Sequence, residues 1–189
     1  MTKKEFGSLL EEMPVIAAVK NDRELEQAVQ SGCGVVFLLY GNVCTIGELT
    51  QKIRQQGKAA IVHVDLIDGL ESKSIAVDFL AKNTYADGII STKPNLIKAA
   101  KEHHMLAIQR FFMIDSIAFE NMKKHLEQGG ADLIEVLPGV MPKIIRKIVK
   151  EVSVPVIAGG LISDKEDVIG ALSAGAAAVS TTLPEVWNS

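Results

Sequence analysis

The sequence predicts an α/β fold, a compact TIM-type (β/α)8 barrel formed by a single domain over residues 1–189. Three observations support it: eight short apolar runs recur about every 20 to 25 residues, helical patterns separate them, and 189 residues suit one domain. The runs, interpreted as strands, are Val15–Val19, Val35–Leu39, Ala59–Val64, Gly88–Ile90, Leu106–Ile108, Leu133–Leu137, Val154–Ala158 and Ala176–Val179.

The strands are expected to be parallel. Their runs are nearly continuous in apolar residues, as in strands that are buried on both faces. Parallel strands need crossover segments, and the stretches between the runs can supply them. An open, doubly wound sheet is the alternative architecture. The barrel is favoured because the runs number eight and because no dinucleotide-binding fingerprint follows the first run.

Helix signals lie between the predicted strands. Asp22 is expected to cap a helix over residues 23–31 that Gly32 ends. The segments Thr45–Glu48 and Ser163–Glu166 have the spacing of a capping box, so each is expected to begin a helix. Four more helices are predicted near residues 70–83, 94–103, 115–128 and 142–151.

Composition excludes several classes of protein. Hydrophobic residues make up 48% and charged residues 23%, and a formal net charge of −3 excludes a chain-wide basic field for nucleic acid. Cys33 and Cys44 lack metal-type spacing, and no third ligand with recognisable spacing accompanies His63 and Asp65, so no metal is predicted. No cofactor is predicted either. Residues Met1–Phe6 begin no apolar signal segment, and the run Val35–Tyr40 is too short to cross a bilayer. We therefore expect a cytoplasmic protein without a membrane partner. Whether it forms a homo-oligomer is left open.

Polar residues and glycines stand at the carboxyl ends of the predicted strands. In this type of barrel, binding sites form at those ends and in the loops that follow them. We therefore predict one ligand site on this rim. The candidate ligand-binding residues are Lys20, His63, Asp65, Ser91, Lys93, Arg110, Glu135, Gly159, Gly160, Ser180 and Thr181.

The clearest part of this rim is the Gly159-Gly160 pair, which ends the seventh strand just before a helix. Glycines let the backbone approach an anion closely and present N–H groups to it. Ser180 and Thr181 end the eighth strand and could complete a phosphate site, which such barrels often build after strands seven and eight. A tight turn with a helix cap is the structural alternative. In the context of a barrel, phosphate binding is favoured.

The remaining rim residues each allow two interpretations. His63 and Asp65 stand two residues apart on one predicted strand face, so they could bind hydroxyls or act as acid and base, or His63 could be a core histidine. Arg110 and Glu135 could form a structural ion pair, or bind phosphate and a ligand hydroxyl respectively. Lys20 could be a Schiff-base nucleophile, although a phosphate counter-charge is favoured. No catalytic residue is assigned.

Four cations follow helical spacing in the segment after the sixth strand. Lys143, Arg146, Lys147 and Lys150 form one basic stripe, opposite an isoleucine-rich face. A solvated helix exterior is the simpler interpretation. The functional interpretation is contact with a nucleic-acid backbone.

Several long motifs resemble the bacterial glycerol uptake operon antiterminator family. They occur in order over essentially the whole chain. They are His63–Gly69, Gly88–Lys93, Ile108–Ser116, Ile134–Gly139 and Ile157–Ile162. The resemblance implies a barrel-shaped regulator rather than an enzyme. It also implies that the ligand is glycerol 3-phosphate, that the partner is leader mRNA, and that the protein lets transcription pass a terminator ahead of glycerol-catabolic genes.

Two other functions stay open on the residues alone. An isomerase, epimerase or aldolase acting on a triose or sugar phosphate would use His63, Asp65 and Glu135 as acid and base candidates, with Lys20 as nucleophile. A barrel that binds a metabolite and acts through a protein partner is the third hypothesis.

Overall fold

A computed structural model describes residues 1–128 and 130–188 and confirms the predicted barrel. Eight parallel strands pair in chain order, and the eighth pairs with the first to close the sheet. The strands are β1 (Val15–Val19), β2 (Val35–Leu38), β3 (Ala59–His63), β4 (Gly88–Ser91), β5 (Leu106–Phe112), β6 (Leu133–Leu137), β7 (Val156–Gly159) and β8 (Ala178–Thr181).

The seven predicted helices are all present as crossovers between strands, and one helix was not predicted. The helices are α1 (Lys3–Glu12), α2 (Asp22–Gln30), α3 (Ile46–Gln55), α4 (Ser74–Asn83), α5 (Pro94–Glu102), α6 (Ser116–Glu127), α7 (Pro142–Glu151) and α8 (Lys165–Ser173), with short 3-10 helices at Val64–Leu66 and Pro184–Val186. In the part of the chain that the structure describes, no helix is both long and apolar enough to cross a membrane.

Side chains alternate along the strands and separate two apolar cores. Ile61 and Ile108 belong to the core inside the barrel, whereas Val62 and Ala107 belong to the core between the sheet and the helices. The next inward position toward the carboxyl end of both strands is polar: His63 follows Ile61 on β3, and Arg110 follows Ile108 on β5. Glu135 and Ser180 hold the corresponding positions of β6 and β8. The alternation therefore changes the barrel interior from apolar to polar as it approaches the rim.

The unpredicted helix α1 closes the amino-terminal end of the barrel. Its first turn is fixed by a capping box, in which the Glu5 amide donates to Thr2 Oγ1 at 3.2 Å and the Thr2 amide donates to the Glu5 carboxylate at 2.6 Å. Phe6 and Leu10 are buried and pack with the residues of the barrel interior. The helix thus covers interior side chains at this end, and the rim at the other end holds the polar inward positions.

Helix caps differ from the predictions by small shifts. Asn21, rather than Asp22, caps α2 by accepting the Glu24 amide at 2.9 Å, and Asp164 caps α8 by accepting the Asp167 amide at 2.9 Å. Thr45 precedes α3 but makes no side-chain cap bond, because its backbone is already helical and a cap residue needs an extended backbone. Six of the seven predicted helix starts are therefore correct to within a residue or two, whereas α4, predicted from near residue 70, begins at Ser74.

After β8, the described chain forms the short 3-10 helix Pro184–Val186 instead of an α-helix. Trp187 is buried, and its indole N–H donates to the Thr181 carbonyl at 2.9 Å. The Cys33 thiol donates to the Trp187 carbonyl at 3.3 Å. These contacts hold the end of the chain against β8 and beside the loop before β2, where the barrel closes.

Candidate functional site

A cavity of about 430 Å³ opens on the carboxyl-terminal rim, where the sequence predicts a site. Two segments form much of its wall: Gly160–Ser163 in the loop after β7, and Ser180–Leu183 at the end of β8 and beyond. Arg110 and Glu135 line it from β5 and β6. The cavity therefore joins the loops after the seventh and eighth strands to the polar inward positions of the barrel.

The loop after β7 carries unpaired backbone donors. Gly160 and Leu161 both have positive φ angles, of 75° and 62°, and Leu161 is exposed. Among the described residues, no acceptor receives the backbone N–H groups of Gly160, Leu161 or Ile162. We call these three groups the amide cradle. Successive N–H groups in left-handed backbone can converge on an anion, so this loop has the chemistry of a phosphate site. The positive φ of a leucine could not be read from the sequence.

Other bonds hold the cradle loop in place. The Gly139 amide, in the loop before α7, donates to the Gly160 carbonyl at 2.9 Å. The Thr181 hydroxyl donates to the Ile162 carbonyl at 2.8 Å, so this predicted ligand residue positions the loop through its side chain. At Ser163, the amide and hydroxyl both donate to the Asp167 carboxylate, at 2.9 and 2.7 Å. The cradle is therefore attached to three neighbouring segments of the barrel.

Arg110, Glu135 and Ser180 form a polar triad at the base of the cavity, in which Glu135 and Ser180 are buried and Arg110 is partly buried. Glu135 is fully buried, and its carboxylate accepts from Arg110 Nε and from the Ser180 hydroxyl, each at 2.5 Å. The structural ion pair, one of the two predicted interpretations, is therefore present. Arg110 binds only through Nε, and no described residue accepts from its two Nη groups. A guanidinium with free Nη groups on a cavity wall can still bind an anionic ligand.

Gly159 packs against this triad rather than against the cavity. A Cβ built on Gly159 would lie 2.5 Å from Glu135 Oε1 and 2.6 Å from Ser180 Oγ. The glycine leaves room for the Glu135 carboxylate and the Ser180 hydroxyl, which face it from the neighbouring strands. Its direct contact with a phosphate stays a prediction, whereas its neighbour Gly160 lines the cavity.

His63 lies in the barrel interior with one ring nitrogen unpaired. Its side chain is 3% exposed, and its Nδ1 atom is buried without a hydrogen-bond partner among the described residues. Burial, and then the positive charge of Arg110, lower its pKa to about 4, although Asp65 acts in the opposite direction. His63 is therefore neutral at pH 7. A buried unpaired nitrogen is costly unless a ligand or water meets it.

The prediction that His63 and Asp65 share one strand face is wrong. β3 ends at His63, and Asp65 lies in the 3-10 helix Val64–Leu66, where alternation no longer applies. The Asp65 carboxylate accepts from the Ser91 hydroxyl at 2.7 Å and from the Thr92 amide at 2.8 Å. Ser91 in turn accepts the Lys93 amide at 3.0 Å. Asp65 and Ser91 thus order the loop after β4, and a direct role of either in ligand binding stays a prediction.

The two predicted lysines lie outside the cavity wall. Lys20 is exposed, with its ammonium 3.9 Å from the Glu24 carboxylate, and Lys93 is exposed at the start of α5. Sequence reasoning assigned no ligand role to Leu161, Ile162 or Ser163, which line the cavity. Their motif was visible, but Ser163 was interpreted only as a helix cap. No group of three or more potential metal-ligating residues occurs within the described ranges.

The predicted basic stripe lies on the solvent side of α7. Lys143, Arg146, Lys147 and Lys150 are all exposed, while Ile145 and Ile148 on the other side of the helix are buried. Lys147 also places its ammonium 4.2 Å from the centre of the Phe119 ring on α6. The stripe is therefore a continuous cationic face, and its contact with RNA stays a prediction.

Comparison with known proteins identifies the family. The family model described as glycerol-3-phosphate responsive antiterminator matches residues 15–187. The chain is 46% identical over 180 residues to the Escherichia coli (strain K12) protein YgcP, which is described as uncharacterized; the match covers 95% of this chain and 94% of YgcP.

Solved structures agree with this assignment. The glycerol uptake operon antiterminator regulatory protein from Listeria monocytogenes is 37% identical, with a TM-score of 0.89, and the match covers 93% of this chain and 95% of that one. A glycerol uptake operon antiterminator-related protein from Thermotoga maritima is 33% identical, with a TM-score of 0.81, covering 92% and 96%. A deoxyribose phosphate aldolase from Aeropyrum pernix, 14% identical, covering 96% and 89%, with a TM-score of 0.71, shares the fold alone. The chain therefore belongs to the family of glycerol-3-phosphate responsive antiterminators.

Proposed function

We propose that this protein senses glycerol 3-phosphate at the carboxyl-terminal rim and binds leader mRNA through the basic stripe of α7, so that the ligand controls transcription antitermination. Family membership supports the class of regulator. One observation supports the ligand most directly: the amide cradle and the free Nη groups of Arg110 belong to residues that line one cavity.

The phosphate group is assigned to the amide cradle and Arg110. Backbone N–H groups and a guanidinium are the donors that proteins use most often for phosphate oxygens. The cavity of about 430 Å³ lies near the lower end of the range for small-ligand sites, about 300–1,000 Å³. A ligand of the size of a phosphorylated triol therefore fits the chemistry and the scale of this site.

The glycerol hydroxyls are assigned to the polar interior below the cradle. Ser180 and Glu135 line the cavity. A ligand hydroxyl can donate and accept at once, so it can pair with the Ser180 hydroxyl and with the Glu135 carboxylate. His63 does not line the cavity, so the support for a ligand that carries hydroxyl groups comes from Ser180 and Glu135.

A short chain of hydrogen bonds connects the ligand site to α7. The Gly139 amide binds the Gly160 carbonyl of the cradle loop at 2.9 Å, and Pro142 begins α7 three residues after Gly139. The Met113 amide donates to the Leu137 carbonyl at 2.8 Å and ties the loop after β5 to the same segment. Ligand binding at the cradle can therefore bias the segment that leads into the RNA surface, as coupling between two sites requires.

The surroundings of Glu135, Asp65 and Lys20 favour regulation over sugar-phosphate chemistry. Glu135 already accepts from Arg110 and Ser180, and Asp65 accepts from Ser91 and Thr92. Lys20 is exposed, whereas a Schiff-base lysine is normally desolvated in an apolar pocket. The structural similarity to the aldolase concerns the fold alone.

The ligand assignment is tested by calorimetric titration of the pure protein with glycerol 3-phosphate, glycerol and inorganic phosphate. Leu161→Asp places a carboxylate at the exposed edge of the cradle, and we expect at least a tenfold loss of glycerol 3-phosphate affinity, which corresponds to about 1.4 kcal/mol of repulsion. Ile169→Asp makes a similar change at an exposed position of α8 that does not line the cavity, so this variant should bind like the wild type.

Equal affinities of the two variants would contradict the cradle assignment. The same titration repeated with a leader-RNA hairpin tests the coupling. If RNA leaves the affinity for glycerol 3-phosphate unchanged, the ligand cannot regulate RNA binding, because coupling between two sites is reciprocal.

A further inference from the structure

A second groove lies outside the ligand cavity, between the loop after β5 and the first half of α7. Its volume is about 380 Å³. Its apolar wall comes mainly from Ile114, Phe119, Met141 and Ile144, and Lys147 stands on the α7 side. We call it the loop–α7 groove. None of these residues lines the ligand cavity, so the groove needs an explanation of its own.

Exposed apolar side chains adjoin this groove. Ile114 is 85% exposed, and its neighbours Phe112 and Ile117 are 50% and 67% exposed. Three large apolar side chains exposed within six residues are uncommon on a soluble domain and mark a binding surface. Phe119 is buried beneath the Lys147 ammonium, so the exposed part of this wall is aliphatic and can cover one face of a flat partner group.

The charge beside the groove limits what the partner can be. Lys147 lines the groove, and Lys143, Arg146 and Lys150 extend the cationic face along the same helix. The one carboxylate within α7 belongs to Glu151, which pairs with Lys123 at 3.0 Å. A partner that combines a row of negative charges with flat apolar groups complements both surfaces, and single-stranded nucleic acid has this combination.

The carboxylate of Asp115 in the groove indicates which part of such a partner the groove can bind. Asp115 caps α6 with Oδ1, which accepts the Ala118 amide at 2.8 Å. Its Oδ2 atom accepts from no described residue, although the side chain lines the groove. A carboxylate repels phosphate and accepts from the N–H groups of a base edge. The groove is therefore suited to a base, and α7 to the phosphates that flank it.

We infer that the loop–α7 groove takes up one unpaired base of the RNA whose backbone lies on the α7 stripe. This inference rests on the RNA binding proposed above and adds that the protein distinguishes single-stranded from paired RNA. Bases in a duplex are stacked and paired, so they cannot enter a side groove, whereas bases in loops and bulges can.

The test compares three polyanions by fluorescence anisotropy and competition: a short mixed-sequence single-stranded RNA, an RNA duplex of equal length, and inorganic polyphosphate. Ile114→Ser truncates the groove wall at a site that is 85% exposed, so folding is retained. We expect this variant to lose at least about fivefold in single-strand affinity, because partial burial of the isoleucine side chain against the base is lost, with duplex and polyphosphate affinities unchanged. The matched control is Ile75→Ser, at a 63% exposed position of α4 away from the groove, which should bind like the wild type.

The other outcomes separate this inference from the proposed function. A variant with glutamine at all four stripe positions should lose affinity for all three polyanions. If it does while Ile114→Ser binds single strands normally, RNA binding stands and the base groove is refuted. If the wild type binds neither RNA, both proposals fail. If Ile114→Ser instead abolishes self-association of the wild type in sedimentation, the groove is an interface between copies and the inference is overturned.

Discussion

The Gly159→Ala substitution adds a single methyl group at the most crowded point of the polar interior. Gly159 ends β7, and its missing side chain leaves space that Glu135 and Ser180 occupy from the two neighbouring strands. Because both neighbours are buried and hydrogen-bonded to each other, they cannot move aside into solvent. We expect the alanine to destabilise the fold strongly although it is a small and apolar residue.

The distances give the magnitude. The new Cβ would lie 2.5 Å from Glu135 Oε1 and 2.6 Å from Ser180 Oγ, far inside van der Waals contact. Overpacking costs about 1–3 kcal/mol, and losing a hydrogen bond to a charged group costs about 1.5–3 kcal/mol. The free energy of unfolding should therefore fall by roughly 3–5 kcal/mol. For a domain of this size, that lowers the melting temperature by about 10 °C.

Thermal and urea unfolding followed by circular dichroism measure this effect. Gly170→Ala is the matched control, because Gly170 lies within α8 and its new Cβ would meet only Pro142 Cγ, at 3.5 Å. Alanine there improves helix propensity by up to about 1 kcal/mol, so the melting temperature should stay the same or rise. If Gly159→Ala melts within about 2 °C of the wild type, the packing argument is refuted, since an effect of that size corresponds to about 1 kcal/mol at most.

Two further predictions concern the buried ionisable side chains His63 and Glu135. Folding lowers the pKa of His63 to about 4, so the unfolded chain binds a proton more readily as pH falls from about 6.5 toward 4, and up to about 3 kcal/mol of stability should be lost across that range. Urea unfolding near pH 7 and near pH 4.5 should show a smaller loss in His63→Gln than in the wild type, and equal losses would contradict the assignment. Glu135→Gln leaves the partly buried Arg110 without its counter-ion and should cost about 3 kcal/mol in the same assay, the lower end of the range for a buried pair. Glu151→Gln removes an exposed pair and should leave the urea midpoint unchanged, whereas similar midpoints for the two variants would count against a structural role of the buried pair.

Much of the barrel could be predicted because burial determines the local pattern of apolar residues in the sequence. Strands buried on both faces must be apolar throughout, so runs such as Val15–Val19 and Leu133–Leu137 were located with the correct bounds. Cap residues also act within three or four positions, so the starts of α2, α3 and α8 were predicted to a residue or two, whereas α4, which has no side-chain cap, begins four residues later than predicted. The stripe on α7 follows from the helical period alone, and all four of its cations are exposed.

Helix α1 was not predicted, because its burial depends on packing that the local sequence does not show. The sequence contains its capping box, Thr2 with Glu5, but only two side chains of the helix, Phe6 and Leu10, are buried, so its apolar pattern is weak. The burial of Phe6 and Leu10 results from packing against the open end of the barrel, so two isolated apolar residues in the sequence do not predict it. Prediction of this helix would have required the position of the strand ends as well as the local pattern.

The sequence by itself determined the eight strands, the seven crossover helices and the polar character of the rim, because each depends on neighbours a few residues away. Tertiary structure alone decided how the rim residues pair. Arg110, Glu135 and Ser180 come together from three strands far apart in the chain, and Asp65 leaves the face of His63 because the strand ends one residue earlier than predicted. The physical reason is that apolar periodicity records whether a residue is buried, whereas hydrogen-bond partners are chosen by the closure of the sheet and by the backbone angles of the loops that follow it.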